Sequence, residues 1–158
     1  MKKALIIIIA TLLLAAGGLY LYKTYHQPFK LPTRTDYDKR EVTERGRELG
    51  WVLGEVLIEF DDNKINLDIE ADAKKALQLV KQASDELAPI VVREMVDAGM
   101  LPPDYDLKED LITFGRTIGP NGAVLTVAID ESEDIISEAL KKYDGVEDAS
   151  PNYIGSFF

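Results

Sequence analysis

Six segments with regular apolar spacing follow one another after residue 50, and their order limits the folds open to this chain. Residues 55–60 and 123–129 alternate in side-chain character or are rich in residues that favour strands. Together with residues 111–114 and 146–154 they predict four strands. Two intervening segments place apolar residues three or four positions apart, which predicts helices that pack one side against a sheet. The first stripe consists of Ala73, Ala76, Leu77, Val80, Ser84 and Leu87, and the second of Ile135, Ile136, Ala139, Leu140 and Tyr143.

Glycine and proline signals set the boundaries of these segments. Pro89 is expected to interrupt or kink the first helix, so that residues 90–100 continue as a second helical piece. Residues 115–122, a Gly-rich stretch that closes with Asn-Gly, predict the turn of a hairpin between the second and third strands. Residues 130–133 resemble a capping box at the start of the last helix, and Gly145 predicts its end.

The resulting order, β-α-β-β-α-β, is that of the ferredoxin-like split β-α-β unit. The sequence therefore predicts an α+β fold: an antiparallel four-stranded sheet with both helices on one face, preceded by an N-terminal hydrophobic helix. Neither side of the third strand is strongly polar; Val124, Thr126 and Ala128 share one side, and Leu125, Val127 and Ile129 the other. A second apolar face predicts a binding surface, unless the stalk or the helical piece 90–100 covers it.

The chain begins with a long uncharged stretch. From Ala4 to Tyr22 there are 19 residues without a charge, which as a helix span about 28 Å, close to the hydrocarbon thickness of a bilayer. Residues 1–22 therefore predict a membrane anchor that holds the following domain on the extracytoplasmic side of the cell membrane in a single pass. The alternative is a cleaved signal peptide with its apolar region at residues 4–16, in which case the domain is secreted.

Residues 23–49 predict a charged stalk. They contain two prolines and a run of mixed charges without a sustained apolar period, apart from a short helix expected around residues 38–49. This leaves residues 50–158 for one domain, which is long enough to bury one core.

The composition excludes several classes of protein. Asp and Glu number 28 against 18 Lys and Arg, and the net charge of -10 argues against a nucleic-acid partner. There is no Cys, and the single His, His26, precedes the domain, which excludes a cysteine-ligated metal, a thiol nucleophile and a Ser-His-Asp triad within it. We therefore expect a protein that is not an enzyme and uses no cofactor.

The acidic clusters do not predict a metal site. Residues 61–63 resemble the start of a calcium loop, but Lys64 breaks the alternation of ligands, so solvated turn residues are expected there. Glu131, Glu133 and Asp134 are expected at a helix start, where carboxylates interact favourably with the positive end of the helix dipole.

The last strand resembles the end of subtilisin-family (subtilase) prodomains. Residues 146–154, Val-Glu-Asp-Ala-Ser-Pro-Asn-Tyr-Ile, follow Lys-Lys-Tyr-Asp-Gly, and those prodomains often close with a Val-Glu-x-Ala-Glu-Pro-Asn-Tyr-like strand. Residues 54–60, Gly-Glu-Val-Leu-Ile-Glu-Phe, are similar to the first strand of the same domains, of the N-terminal prodomain type found in fervidolysin. The resemblance covers about residues 50–158.

The resemblance implies a non-catalytic partner of a protease. Such prodomains are ferredoxin-like modules that template the folding of their protease and then inhibit it, with the sheet on surface helices of the enzyme and the C-terminal tail in its substrate cleft. Since no protease follows in this sequence, the implied target is a separate subtilisin-like serine protease. The implied protease-contacting residues are Ser150, Asn152, Tyr153, Gly155, Ser156, Phe157 and Phe158.

The resemblance also implies separate roles for the C-terminal residues 155–158 and for Ser150 and Asn152. Phe158 is expected at the position of the cleaved bond, with Phe157 beside it and Gly155 facing a more distant pocket. The extended four-residue tail reaches about 13–14 Å, which suits the non-primed half of a protease cleft. Ser150 stands where the family pattern has an acid, and Ser150 and Asn152 are expected to cap helix N-termini of the protease.

Two alternatives stay open. Phe157 and Phe158 are also compatible with packing on the chain's own sheet, or with a frayed terminus. The alternative function is a membrane-anchored ferredoxin-like interaction module that inhibits no protease.

Overall fold

The computed structural model of the chain describes residues 31 and 43–153. The predicted anchor at residues 1–22, most of the predicted stalk, and residues 154–158 lie outside the described range. Within that range, no helix combines the length and the apolar character needed to cross a membrane. All described residues belong to one compact unit, Leu31–Phe158.

Three helices and four strands make up the described range. After a short first helix, the strands and the two longer helices follow in the order β-α-β-β-α-β. In chain order the elements are α1 (Glu44–Leu49), β1 (Trp51–Phe60), α2 (Glu70–Asp97), β2 (Ile112–Ile118), β3 (Gly122–Val127), α3 (Glu133–Leu140) and β4 (Val146–Tyr153).

The four strands form one antiparallel sheet in the order β2-β3-β1-β4. Strand β1 lies inside the sheet, where Ile58 faces Ala123 of β3 on one side and Ala149 of β4 on the other. Of the described strands, β4 forms one edge and β2 the opposite edge. The prediction of an α+β fold with an antiparallel four-stranded sheet is confirmed.

One hydrophobic core lies between the helices and one face of the sheet. Strand β1 contributes Val56, Ile58 and Phe60 at alternate positions, and each is at most 3% exposed. The buried stripes of α2 and α3 join the same cluster, through Val80 and Leu140 among others. Burying one such side chain contributes about 1.5–3 kcal/mol, so a register slip of one residue, which would expose all three β1 side chains, is strongly disfavoured.

Pro89 does not divide α2. The helix runs through it from Glu70 to Asp97, so the prediction of a separate helical piece at residues 90–100 is wrong. Leu87 and Val91 are buried on either side of the proline and continue the apolar stripe at a spacing of four. Burial of that stripe outweighs the single backbone hydrogen bond that a proline removes.

The predicted hairpin is confirmed, but its turn is shorter than expected. Strand β2 ends at Ile118 and β3 begins at Gly122, so residues 115–118 belong to a strand and not to the turn. Gly115 lies at a register shift between the two strands, where a Cβ atom would be 2.9 Å from the carbonyl oxygen of Val124. Glycine is required there by the close approach of two backbones.

The predicted capping box at residues 130–133 is wrong. Ser132 is the N-cap residue of α3, but its side chain makes no capping hydrogen bond; its hydroxyl instead donates to the carbonyl oxygen of Ile129 at 2.6 Å. The Glu133 side chain accepts a hydrogen bond from the backbone N–H of Gly54 in β1. A long-range contact has therefore replaced the local one that the sequence pattern favours.

Candidate binding face of the sheet

The face of the sheet that points away from the helices, here called the outer face, is the surface that the sequence pattern singled out. Side chains alternate along a strand, so each strand contributes every second residue to this face, except in β2, where the register shift at Gly115 adds one position between Thr113 and Arg116. Its members are Thr113, Arg116 and Ile118 of β2, Val124 and Thr126 of β3, Glu55, Leu57 and Glu59 of β1, and Asp148, Ser150 and Asn152 of β4.

One half of the outer face, next to the β2–β3 hairpin, is open to solvent. Leu57, Ile118 and Ser150 are half-buried there, whereas Glu59 and Asp148 are exposed. These residues line a shallow depression of about 270 Å³, here called the hairpin-end depression. It combines an apolar floor with an acidic edge.

Two carboxylates lie opposite each other at this edge. Glu59 of β1 and Asp148 of β4 are register partners across the antiparallel pair, an arrangement in which like charges repel. Each has one compensating neighbour: Asn121 donates its amide to Glu59 at 3.3 Å, and Lys141 lies 3.5 Å from Asp148. Two carboxylates against one ammonium group leave this edge with a net negative charge, which a group of positive potential would stabilise.

Most of the other half of the outer face is buried, although Thr113 of the edge strand β2 is exposed. Val124 is 0% exposed and Glu55, Asn152 and Thr126 are between 3% and 9% exposed. The predicted second apolar face is therefore open at the hairpin-end depression, and most of the stalk that was the alternative cover lies outside the described range. The helical piece 90–100 does not cover the buried half, because Val91 and Met95 of that segment belong to the core cluster between helices and sheet.

The structure places the predicted contact residues in three different settings. Ser150 lies opposite Leu57 in the hairpin-end depression. The side chain of Asn152 is buried, and its amide donates to the Glu55 carboxylate at 2.6 Å. Tyr153 is 47% exposed at the end of β4, and its ring meets that of Trp51 edge-on with centroids 6.2 Å apart. The remaining predicted residues, Gly155, Ser156, Phe157 and Phe158, lie outside the described range.

Sequence reasoning missed the buried carboxyl group of Glu133. The residue is 0% exposed, and burial raises the pKa of its carboxyl group, with a smaller contribution from the charge of Asp130. The N–H of Gly54 and the nearby indole of Trp51 act in the opposite direction. The signal available in the sequence was Gly54 itself, since a glycine inside a strand pattern often marks a bulge or a close approach.

The neighbouring Glu131 is engaged by α1. The guanidinium of Arg45 contacts both carboxylate oxygens of Glu131, with Nε–Oε1 at 3.0 Å and Nη2–Oε2 at 2.8 Å, and this pairing lowers the pKa of the Glu131 carboxyl group. Of the three acids expected to stabilise the helix dipole, only Asp134 is exposed in the first turn of α3. Glu133 also lies in the first turn, as expected, although its side chain is buried. The expectation is wrong only for Glu131, which precedes the N-cap residue Ser132 and pairs with Arg45 instead.

The turn acids form ordinary surface interactions. Asp61 accepts from the backbone N–H of Asn63 at 3.0 Å, and Lys64 pairs with both Asp61 and Asp144. Over residues 31 and 43–153, no group of three or more His, Cys, Asp or Glu side chains is arranged to hold a metal ion.

Comparisons with family models, with curated proteins and with solved structures find no match to this chain. Function is therefore inferred from the geometry of the outer face and from the sequence resemblance.

Proposed function

We propose that this chain is a non-catalytic, subtilase-prodomain-like protein that binds a separate subtilisin-like serine protease through its outer face and its C-terminal tail. In this proposal it inhibits the protease or assists its folding, and it performs no chemistry of its own. The sheet order β2-β3-β1-β4, together with the order of elements along the chain, supports the ferredoxin-like arrangement that the proposal requires.

The single observation that supports the proposal most is the position of β4. The strand with the prodomain-like sequence is an edge strand of the described sheet, and its outward residues Asp148 and Ser150 line the hairpin-end depression. An exposed edge strand and an adjoining open face are what a protein needs to dock a sheet on another molecule.

The charge of the depression suits the N-termini of helices on a partner. The positive end of a helix dipole attracts carboxylates, and Glu59 and Asp148 offer two of them that repel each other in the free chain. Ser150 lacks the charge that the prodomain pattern has at its position, but Asp148 lies two residues before it on the same face. We therefore assign to Asp148 the role that the resemblance would give to an acid at Ser150.

The depression is too small to form a stable complex by itself. A stable protein–protein interface buries about 800 Å² on each partner, which is more than a few residues around a shallow depression supply. The proposal assigns the rest of the interface to residues 154–158, which directly follow the exposed Tyr153. An extended tail in a protease cleft adds main-chain hydrogen bonds and places side chains in pockets.

The alternative is an interaction module that inhibits no protease, bound to the membrane through residues 1–22. One observation favours it. Asn152 and the half of the outer face around it are buried, so less of the sheet is open than a prodomain-like contact would use. This alternative retains the hairpin-end depression as the contact surface but needs no tail in a cleft.

Inhibition of a panel of subtilisin-like proteases by the full-length chain tests the proposal. Deletion of residues 155–158 is expected to weaken inhibition at least about tenfold, since the tail would supply the contacts in the cleft. Asp148→Asn is expected to weaken it about two- to fivefold, the size of a helix-dipole interaction. The matched control is Glu147→Gln, which neutralises an exposed acid beside Asp148 that does not line the depression.

The outcomes separate the two functions. Loss of inhibition on tail deletion, with Glu147→Gln unchanged, supports the prodomain-like proposal. Binding of a protease without inhibition, or inhibition that survives tail deletion in full, contradicts it. In the first of these cases the interaction module is the better account.

A further inference from the structure

A second candidate docking surface lies on the opposite side of the sheet, between α2 and α3. Its floor is apolar, with Leu87 and Val91 from α2 and Ile135 and Ala139 from α3, and the groove has a volume of about 580 Å³. Leu87 and Val91 are at most 7% exposed, so the floor is part of the core. The groove is therefore formed by fixed elements of the fold.

The α2 wall of this groove presents an apolar side chain between two acids. Ile90 is 42% exposed, and Glu86 and Glu94 are exposed four residues before and after it. At about 1.5 Å of rise per residue, the two carboxylates lie about 12 Å apart along the helix. Over about two turns of α2, the wall therefore presents Glu86, then Ile90, then Glu94.

The charge of the rim is negative. Glu86 accepts hydrogen bonds from the side-chain amide of Gln82 at 2.8 Å and from the hydroxyl of Tyr143 at 2.7 Å, and these bonds lower the pKa of its carboxyl group, so it keeps its charge. Glu94 makes no ion pair with the other residues of 31 and 43–153 for which the structure gives contacts. On the α3 side, Lys141 pairs with Glu138 at 2.7 Å, and Lys142 is the rim cation that opposes the acids.

We propose that the groove between α2 and α3 binds a basic amphipathic helix of a partner protein. Such a helix would lay its apolar side on Ile90 and the groove floor, and it would set Lys or Arg side chains about two turns apart against Glu86 and Glu94. The acidic rim and the chain's net charge of -10 repel anionic lipid surfaces and nucleic acids, which leaves a cationic protein segment as the occupant.

This surface is independent of the proposed protease contact. The groove lies on the helical side of the sheet, whereas the hairpin-end depression lies on the outer face. The domain can therefore hold one partner on each side. No residue lines both surfaces. Lys141 pairs with Glu138 at the groove and with Asp148 at the depression, but neither test changes Lys141, so a failure of one proposal is distinguishable from a failure of the other.

Fluorescence anisotropy with a designed peptide tests the proposal on the full-length chain. The probe is a 14-residue helical peptide of Ala and Leu whose leucines form one face, with Lys residues two turns apart beside that face. The control peptide has the same sequence with Glu in place of each Lys. We expect binding of the Lys peptide alone, weakened by raising the salt concentration from about 50 mM to about 300 mM. The double variant Glu86→Gln/Glu94→Gln is expected to lose about fivefold in affinity.

Two further variants are expected to change the affinity for the Lys peptide in opposite directions, and a third serves as their control. Ile90→Lys places a cation and removes the apolar contact, so affinity should fall more than about tenfold. Lys142→Gln removes the rim cation and should tighten binding by about twofold. Ile69→Lys is the matched control, because Ile69 is another exposed isoleucine, 51% exposed, that does not line the groove. Circular dichroism of each variant verifies that it folds.

The proposal is overturned if the Glu peptide binds as well as the Lys peptide, or if neither binds. It is also overturned if Ile90→Lys behaves like Ile69→Lys, or if the charge variants and salt have no effect. Self-association of the chain that Ile90→Lys abolishes, without any peptide binding, would assign the groove to a second copy and contradict a separate partner.

Discussion

The buried carboxyl group of Glu133 gives the sharpest prediction about the fold, tested by Glu133→Gln. A glutamine keeps the oxygen that accepts from the N–H of Gly54 and removes the charge. The second carboxylate oxygen has no partner at hydrogen-bonding distance and angle among the described residues, and the nearby indole of Trp51 offsets only part of the cost of burying the charge. Burial is the first cause of the raised pKa of this group, and Asp130 adds to it.

The sign of the pH dependence follows from that raised pKa. Below the ordinary pKa of a glutamate, Glu133 is protonated in both the folded and the unfolded chain, and no charge is buried. Above the raised folded-state pKa, the carboxylate is ionised in both states, and the full cost of burying the charge lowers stability. The free energy of unfolding therefore falls as the pH rises from the ordinary pKa of a glutamate through the raised pKa of Glu133 in the folded chain.

A partly satisfied buried polar group costs about 1–3 kcal/mol. Because Gln still leaves one polar atom without a partner, we expect Glu133→Gln to stabilise the chain at pH 7.5 by about 1 kcal/mol, in the lower part of that range. At pH 4 the two chains should have nearly equal stability. Glu133→Ala should instead destabilise by about 1–3 kcal/mol at both pH values, because the N–H of Gly54 then has no acceptor.

Urea unfolding followed by tryptophan fluorescence measures these differences. The chain has one Trp, Trp51, and its indole lies close to the Glu133 carboxylate, so its emission reports on this region. A Gln variant that is less stable than the parent at pH 7.5 by more than about 1 kcal/mol would refute the reasoning, since the charge would then be better solvated than its burial implies.

Two further substitutions test contacts that join distant segments, each by urea unfolding at pH 7. Ser84→Ala should destabilise by about 1–3 kcal/mol, because Ser84 Oγ accepts from the buried N–H of Ile112 at 3.1 Å; an unchanged midpoint would contradict this. Gly145→Ala should cost about 1–2 kcal/mol or more, since Gly145 has φ +94 and an added Cβ would lie 3.2 Å from Ile65 Cδ1; a more stable variant would be incompatible with that backbone.

Much of the fold was predictable because buried residues recur at a regular spacing along a strand or a helix. The alternation in β1 and the stripe of α2 identify one strand and one helix without knowledge of the rest of the chain. Pro89 was misread because a local rule, the lost hydrogen bond, was weighed without the buried Val91 and Met95 that continue the stripe. The apolar pattern beyond the proline was the better guide.

The candidate site was only partly predictable, for a different reason. The pairing of Glu133 with Gly54 joins residues 79 positions apart, and the bond between Asn152 and Glu55 joins residues 97 apart. Nothing in a local pattern distinguishes these buried side chains from the exposed acids around them. Ser150 lies on the outer face because alternation along β4 fixes its side, and its predicted contact with a protease stays a prediction.

The central claim is that the outer face of the sheet docks on a protease, and hydrogen exchange of the full-length chain with a catalytically inactive subtilisin-like protease tests it most directly. The account predicts slower exchange at residues 118–122 and 148–150, which border the hairpin-end depression, and unchanged exchange at residues 86–94 in the groove between α2 and α3. Unchanged exchange around the depression, or protection confined to residues 86–94, would contradict it.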